Sequence, residues 1–249
     1  MIPLLRIESL SRRFGGVSAL EDFSLDIAEV ELHALIGPNG AGKTTLIHIL
    51  SGALPASAGR VTFEGAEITR LAMHARVRRG LARSYQITSL FPQFTVLENM
   101  ALAIQPRREK LFAAWRPVAH DEALFSQAQA RAEEIGLAGR VDTLAGELAH
   151  GERRLLEIGL ALATGAKLLL LDEPMAGLGP EESQRLLRLL QTLKGQLTIL
   201  LVEHDMDAVF RLADRISTLV YGRLVATGTP GEIRRHPEVR RAYLGENAA

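Results

Sequence analysis

The sequence predicts an α/β fold built on a central, largely parallel sheet, with a helical segment inserted into it. Near-continuous apolar runs lie at 32–36, 168–171 and 198–202, as in strands that are buried on both faces of a parallel sheet. Helical patterns lie between these runs: Pro180, Glu181 and Glu182 suit a first helical turn, and leucines recur at helical spacing from 186 to 193. This alternation of strands and helices predicts the α/β class.

The middle of the chain has a different composition. From about 90 to 164 it is rich in Ala, Leu, Arg and Glu, with little clustering of β-branched residues, which indicates helices. A looser stretch is expected around 105–121, where Pro106 and Pro117 lie. We expect one domain, with residues 1–88 and 165–249 forming the α/β core and residues 89–164 forming a helical subdomain.

Composition excludes several classes of function. The 249 residues contain no cysteine, so disulfide frameworks, thiolate metal sites and cysteine nucleophiles are excluded. The 29 basic residues balance 29 acidic ones, which does not favour a strongly basic nucleic-acid binder. No apolar run reaches the roughly 18 to 20 residues of a membrane span, and the N-terminus lacks a signal-peptide pattern. The chain is therefore expected not to insert into a membrane itself, although it can still act at one.

A phosphate-binding loop is predicted directly after the first buried run. The pattern G-x-x-x-x-G-K-[ST] is matched, and with the residue that follows it gives the candidate set Gly37, Pro38, Asn39, Gly40, Ala41, Gly42, Lys43, Thr44 and Thr45. Glycines allow several backbone N–H groups to point at one phosphate group, and the following helix adds its N-terminal dipole. Lys43 can reach the β- and γ-phosphates, and the Thr44 hydroxyl can bind Mg²⁺. The alternative is an ordinary Gly-rich turn with a solvated lysine, which the strand-loop-helix context disfavours.

Two acidic residues follow the second buried run. Asp172 comes directly after 168–171, where a partner for Mg²⁺ is expected beside a phosphate loop. Glu173 comes next and can polarise an attacking water. By themselves the two residues fit a strand that ends in a solvated turn, but with the phosphate loop they predict a P-loop NTPase.

Together these residues resemble the ATP-binding cassette (ABC) ATPases over nearly the whole chain. The resemblance implies a P-loop core with an antiparallel N-terminal β portion and a helical subdomain. It further implies that Phe14 stacks on adenine, that Gln86 contacts Mg²⁺ and water, and that His204 contacts the γ-phosphate as a catalytic residue with Glu173, Gln86 and Lys43. The alternatives are a core phenylalanine at Phe14 and a structural or solvated histidine at His204.

The family's signature segment is identified before a predicted helix. Its usual form is Leu-Ser-Gly-Gly-Gln, and here it comprises Leu148, Ala149, His150, Gly151 and Glu152. The segment offers backbone N–H groups and a helix N-terminus to the γ-phosphate held by a second subunit. A carboxylate at Glu152 is unfavourable near phosphate unless it points away. Gly179 stands where many members of the family carry an Asp whose side chain makes a contact across the dimer.

Segments at 80–86, 90–99, 201–206 and 228–246 are similar to the ATPase subunits of branched-chain amino acid (Liv-type) importers and their urea and amide relatives. The resemblance implies ATP and Mg²⁺ as cofactors and a homodimeric or heterodimeric ATPase. Transmembrane permease subunits are implied as partners, with an indirect extracytoplasmic solute-binding protein. The chain is then expected at the cytoplasmic face of the plasma membrane, as a peripheral subunit.

Four alternatives remain beside amino-acid import. The chain resembles the lipopolysaccharide-export ATPase in its tail, and urea import is a further ABC role. A soluble ABC ATPase acting on nucleic acid is disfavoured, because this sequence has no long coiled-coil insertion or second cassette. A P-loop kinase or GTPase is disfavoured by the signature segment.

Overall fold

The computed structural model describes residues 2–84, 90–108 and 121–244, and its strands form two sheets. The strands are β1 Leu5–Phe14, β2 Val17–Ile27, β3 Leu32–Ile36, β4 Ala58–Phe63, β5 Ala66–Glu67, β6 Leu81–Arg83, β7 Leu168–Asp172, β8 Thr198–Val202, β9 Arg215–Val220 and β10 Arg223–Gly228. The first sheet has the order β2-β1-β4-β5 and is antiparallel, which confirms the antiparallel N-terminal portion.

The second sheet has six strands in the order β10-β9-β3-β8-β7-β6. All its pairings are parallel except that of β10 with β9. Every residue of β3, β7 and β8 is buried, as expected for strands covered on both faces. Side chains of β7 alternate between two apolar cores, with Leu169 and Leu171 in one and Leu168 and Leu170 in the other. The predicted α/β fold class is confirmed.

The described residues also form helices. They are α1 Lys43–Ser51, α2 Met73–Arg78, α3 Val96–Arg108, α4 Glu122–Glu134, α5 His150–Ala163, α6 Pro180–Leu193, α7 Met206–Leu212, α8 Pro230–Arg235 and α9 Pro237–Leu244. Helix α6 begins at Pro180 and buries Leu186, Leu187, Leu190 and Leu193, which matches the helical spacing of its leucines.

Helices α3, α4 and α5 pack on one another in the middle of the chain. Gly159 of α5 makes this packing close, because a Cβ there would lie 2.3 Å from Cε of Met100 and 2.6 Å from Cδ1 of Ile135. Helix α3 runs to Arg108, so the expected loose stretch does not begin at 105. Pro106 lies within this helix. A proline removes one helical hydrogen bond, but Pro106 does not end α3. Residues 109–120 lie outside the described residues.

A buried arginine fixes the end of α1. Arg76 is 2% exposed, and its guanidinium donates to the carbonyl oxygens of Ile49 at 2.7 Å and Leu50 at 2.8 Å. It also donates to the carbonyl oxygens of Leu71 and Thr69, each at 2.9 Å. Since the last carbonyls of a helix lack intrahelical partners, Arg76 anchors the C-terminal end of the helix that follows the glycine loop.

None of the helices within the described residues is both long enough and apolar enough to cross a membrane.

Replacing Arg76 by Met should destabilise the protein, because four carbonyl oxygens, two of them in buried hydrogen bonds, lose a charged donor. We expect a loss of about 2–4 kcal/mol in the free energy of unfolding, measured by urea denaturation. Arg78→Met is the matched control, because Arg78 lies on the same short helix and is exposed. Equal losses in the two variants would contradict the anchoring role.

Candidate nucleotide site

The loop between β3 and α1 is shaped by close backbone contacts. A Cβ at Gly37 would lie 2.2 Å from the carbonyl oxygen of Leu219, and one at Gly42 would lie 2.3 Å from that of Ala19. Gly42 also has φ +107°, in the left-handed region that favours glycine. Within the described residues no side chain caps the N-terminus of α1. The first N–H groups of this helix therefore remain available to an anion.

Lys43 is the first residue of α1 and is 5% exposed. Its Nζ donates to the carbonyl oxygens of Gly37 at 2.6 Å and Pro38 at 3.1 Å. Burial lowers the pKa of Lys43, while the nearby Glu173 and Asp172 carboxylates oppose this shift. The loop, the ammonium group and both acidic residues therefore form one electrostatic site. Thr44 is exposed and Thr45 half-buried in the same helical turn.

Asp172 ends β7 and is 3% exposed. Its Oδ2 accepts a hydrogen bond from Nη2 of Arg83 at 3.2 Å, whereas its buried Oδ1 has no hydrogen-bond partner among the described residues. Burial raises the pKa of Asp172, and the Arg83 guanidinium opposes this effect. An orphaned carboxylate oxygen beside a phosphate loop fits a cation site, since Mg²⁺ prefers oxygen ligands.

Sequence reasoning missed Arg83, which lies at the end of β6. The feature of the sequence that could have identified Arg83 is its charge at the end of a short, otherwise apolar strand. Gln86, three residues further on, lies outside the described residues.

Glu173 occupies a strained turn at the end of β7. Its φ is +48°, which costs about 1–3 kcal/mol for a residue with a side chain. Its backbone N–H donates to the carbonyl oxygen of Val202 at 2.9 Å, and the residue is half-buried. Asp172 pairs with Val202 across β7 and β8. Since parallel strands end at the same edge, His204 follows at that edge too, with 61% of its side chain exposed.

Glu203 is a second residue that sequence reasoning missed. It is fully buried, and its carboxylate accepts hydrogen bonds from the backbone N–H of Met175 at 2.8 Å and of His204 at 3.1 Å. Burial raises its pKa, and these N–H donors oppose the shift. Glu203 therefore ties the loop after Glu173 to the backbone of His204. An acidic residue directly after an apolar strand was its signal.

Phe14 does not belong to the core. It is 46% exposed at the end of β1, and the Arg12 guanidinium carbon lies 4.7 Å from its ring centroid. A surface ring of this kind is available to stack on a flat ligand.

The signature segment opens α5. Leu148 is buried, Ala149 precedes the helix as its N-cap, and His150 is exposed in the first turn. Glu152 directs its carboxylate to the backbone N–H of Ala149 at 3.0 Å and to Nε of Arg140 at 2.9 Å. Within the part of the chain that the structure describes, no hydrogen bond or ion pair joins 148–152 to the loop at 37–45.

The fold and this site define an ATP-binding cassette. The family model described as ABC transporter matches residues 20–176, and the chain therefore belongs to the ABC transporter family of ATP-binding proteins, as the sequence motifs predicted. Within that family, the model described as branched-chain amino acid ATP-binding cassette transporter matches residues 223–249.

Comparison with individual relatives shows which members of the family the chain resembles. It is 40% identical to the high-affinity branched-chain amino acid transport ATP-binding protein LivG of Salmonella typhimurium, over 98% of both chains. It is 37% identical to the corresponding protein BraF of Pseudomonas aeruginosa, also over 98% of both. The lipopolysaccharide export system ATP-binding protein LptB of Escherichia coli is 34% identical over the same share. The predicted similarity to Liv-type ATPases is thereby confirmed.

Solved structures agree with the fold. A nucleotide-free ATP-binding cassette from an ABC transporter superposes with a TM-score of 0.84 at 32% identity, covering 98% of this chain and 99% of that one. The ADP conformation of an ATP-binding cassette of an ABC transporter gives 0.85 at 31% identity, covering 99% and 100%.

The two loop glycines at 40 and 42 should respond differently to alanine. Gly42→Ala places a Cβ against the carbonyl oxygen of Ala19 in a left-handed backbone, so we expect a loss of about 3 kcal/mol or more in unfolding free energy. Gly40→Ala is the control, because Gly40 shares the left-handed conformation but a Cβ there would have no other atom within 4 Å. It should lose only about 1–2 kcal/mol. Urea denaturation distinguishes the two, and equal losses would contradict the packing argument.

Proposed function

We propose that the chain binds and hydrolyses ATP between two ABC ATPase subunits and thereby drives import of branched-chain or related amino acids through membrane permease subunits. The observation that carries the proposal is the convergence of Lys43, Asp172 and Glu173 at one edge of the parallel sheet. A lysine and carboxylates gathered beside a glycine loop are the parts from which phosphoryl-transfer sites of P-loop proteins are built.

The residues fit both ATP and Mg²⁺. Residues 37–45 would bind the phosphates through the backbone N–H groups of the loop and of the start of α1, with the Lys43 ammonium beside them. Thr44, Gln86 and Asp172 would hold Mg²⁺. Among the described residues, no three His, Cys, Asp or Glu side chains form a group that could bind a metal ion. Such a site suits Mg²⁺, which is usually bound by one or two protein groups together with phosphate oxygens and water. When bound, the ion neutralises phosphate charge.

The chemistry assigned to this chain is positioning and electrostatic stabilisation. Glu173 orients or deprotonates the attacking water. Lys43 and His204 stabilise the negative charge that develops on the transferred phosphoryl group, and Gln86 contacts the water. Phe14 stacks on the adenine ring. Glu203 holds the two strand ends in register, because its buried carboxylate binds both Met175 and His204.

A second ATPase subunit would supply the signature segment to each nucleotide. Ala149 lacks the usual hydroxyl, and its backbone N–H donates to Glu152, whose carboxylate also pairs with Arg140. ATP then favours the closed dimer and hydrolysis releases it, which is coupling by differential affinity. The partner is a second copy of this chain or a paralogous ATPase.

An exposed aromatic pair marks the proposed permease contact. Phe91 is 55% exposed and Phe94 40% exposed, with ring centroids 5.4 Å apart. Asn99, which is 2% exposed, holds their loop by accepting from the N–H of Phe91 at 2.9 Å and by donating to three backbone carbonyl oxygens. A cavity of about 290 Å³ lies beside Phe91 and Asn99. A fixed loop with exposed aromatic rings next to a cavity suits a protein partner.

The relatives support amino acids as the solute class, since LivG and BraF are named for branched-chain amino acid transport. The similarity to LptB favours lipopolysaccharide export as the second candidate. The C-terminal match to the branched-chain amino acid model supports import. Copurification of the chain with the permease proteins encoded by neighbouring genes, together with a secreted binding protein, would distinguish the two roles.

Glu173→Gln should retain ATP binding and lose hydrolysis, because the amide cannot accept a proton from water. We expect at least about a hundredfold lower turnover and an ATP-dependent dimer on size exclusion. Lys43→Ala is the binding-negative control and should abolish tight Mg-ATP binding. Normal turnover in Glu173→Gln would contradict the role of Glu173, and unchanged affinity in Lys43→Ala would contradict that of the loop.

Phe91→Ser should weaken capture of coexpressed permease subunits by about tenfold or more, because an exposed aromatic anchor is lost. ATP affinity of the isolated chain should stay unchanged. Tyr221→Ser is the matched control, since Tyr221 is an aromatic residue that is 86% exposed on a different loop. Equal capture by both variants would place the permease contact elsewhere.

A further inference from the structure

One carboxylate links the signature segment to the loop that follows Glu173. Oε1 of Glu182 accepts a hydrogen bond from the backbone N–H of Gly151, and its Oε2 accepts one from that of Gly179, each at 3.0 Å. Gly151 lies in the first turn of α5, whereas Gly179 directly precedes α6. Two segments that are distant in sequence are therefore held by a single side chain.

The contact depends on the absence of a side chain at 151. A Cβ at that position would lie 2.7 Å from both Cγ and Cδ of Glu182, so a larger residue there would displace this carboxylate. The two backbone donors lower the pKa of Glu182. The group is therefore anionic at neutral pH.

The other acid of the first turn does not compete for this position. Glu152 accepts from the N–H of Ala149 and pairs with Arg140. At the other end of the bridge, Glu182 is the third residue of α6 and accepts the backbone N–H of Gly179, which directly precedes the helix. Glu182 is thus the acid that occupies the Gly151 donor.

We propose that Glu182 is an internal anion that occupies the Gly151 N–H until ATP held by a second subunit displaces it, and that this displacement frees Gly179. The inference rests on the proposed function, in which the signature segment faces that ATP. One N–H cannot donate well to two acceptors at once, and a carboxylate repels a phosphate that approaches the same donor. Binding of the partner's nucleotide therefore requires Glu182 to leave.

This displacement couples two parts of the site. The loop between Glu173 and α6 is held at Gly179 by the same carboxylate, so its tether is lost when the signature segment is occupied. Arrival of nucleotide at α5 is thereby transmitted to the loop next to Glu173. The coupling depends on one side chain with two alternative positions: Glu182 either bonds to Gly151 and Gly179 or is displaced by nucleotide.

The test uses ATP-driven dimerisation of the full chain. Glu182→Gln and Glu182→Ala, each combined with Glu173→Gln, are compared with Glu173→Gln alone by analytical ultracentrifugation across an ATP titration. We expect half-maximal dimer at about tenfold lower ATP in both Glu182 variants, because a competing negative charge is removed. Glu181→Gln is the control, because Glu181 is the exposed preceding residue, and should shift by less than about twofold. ATP affinity of the monomer should not change.

An equal or higher ATP requirement in Glu182→Gln overturns the proposal and instead makes the bridge a support for the signature turn, while the proposed function stands. Absence of any ATP-dependent dimer in Glu173→Gln alone overturns the proposed function and this inference with it. Hydrogen exchange of the ATP-free chain provides a second measurement. The amides of Gly151 and Gly179 should exchange faster together in Glu182→Gln but not in Glu181→Gln, and a change at only one of them contradicts the bridge.

Discussion

The phosphate loop depends on two places where one backbone approaches another so closely that no side chain fits between them. Gly37 lies against Leu219 of β9 in the parallel sheet, and Gly42 lies against Ala19 of β2 in the antiparallel sheet. A chain of backbone hydrogen bonds adds to this: Gly222 donates to the carbonyl oxygen of Ala41, and Glu21 donates to that of Gly222. The loop is therefore fixed by both sheets at their junction, and the positions of Lys43 and the start of α1 follow from it.

Around this loop the site keeps charged groups in surroundings that disfavour charge. Burial raises the pKa values of Asp172 and Glu203 and lowers that of Lys43, while neighbouring charges and backbone donors oppose each shift. A buried charge without compensation costs several kcal/mol, and groups with shifted pKa values are enriched at functional sites. The Arg83 guanidinium supplies part of the compensation for Asp172, whereas backbone N–H donors compensate Glu203.

The departures from the family's usual motifs acquire a physical meaning in the structure. Gly179 lacks the Asp side chain found in many relatives, and Glu182 accepts the backbone hydrogen bond at that position. Glu152, an acid in a segment that should bind phosphate, turns to Arg140 and to its own helix terminus. Two backbone N–H groups of the signature segment, those of Ala149 and Gly151, are thus occupied by carboxylates of this chain. The partners of the Glu152 and Glu182 carboxylates therefore determine which N–H groups of the segment are free to bind a ligand.

Resemblance to the ABC ATPases implied the antiparallel N-terminal portion, whereas the residue patterns by themselves determined the parallel core, the phosphate loop and the order of its acidic partners. Those features are local: continuous apolar runs, a fixed glycine spacing, and acids that follow a strand directly. Only the tertiary structure decided that Arg83 pairs with Asp172, that Glu203 joins Met175 to His204, and that Glu182 reaches Gly151. Those contacts join residues as far apart as 89 positions in sequence, and side chains of ordinary type acquire their partners only when sheet edges and helix ends meet in space.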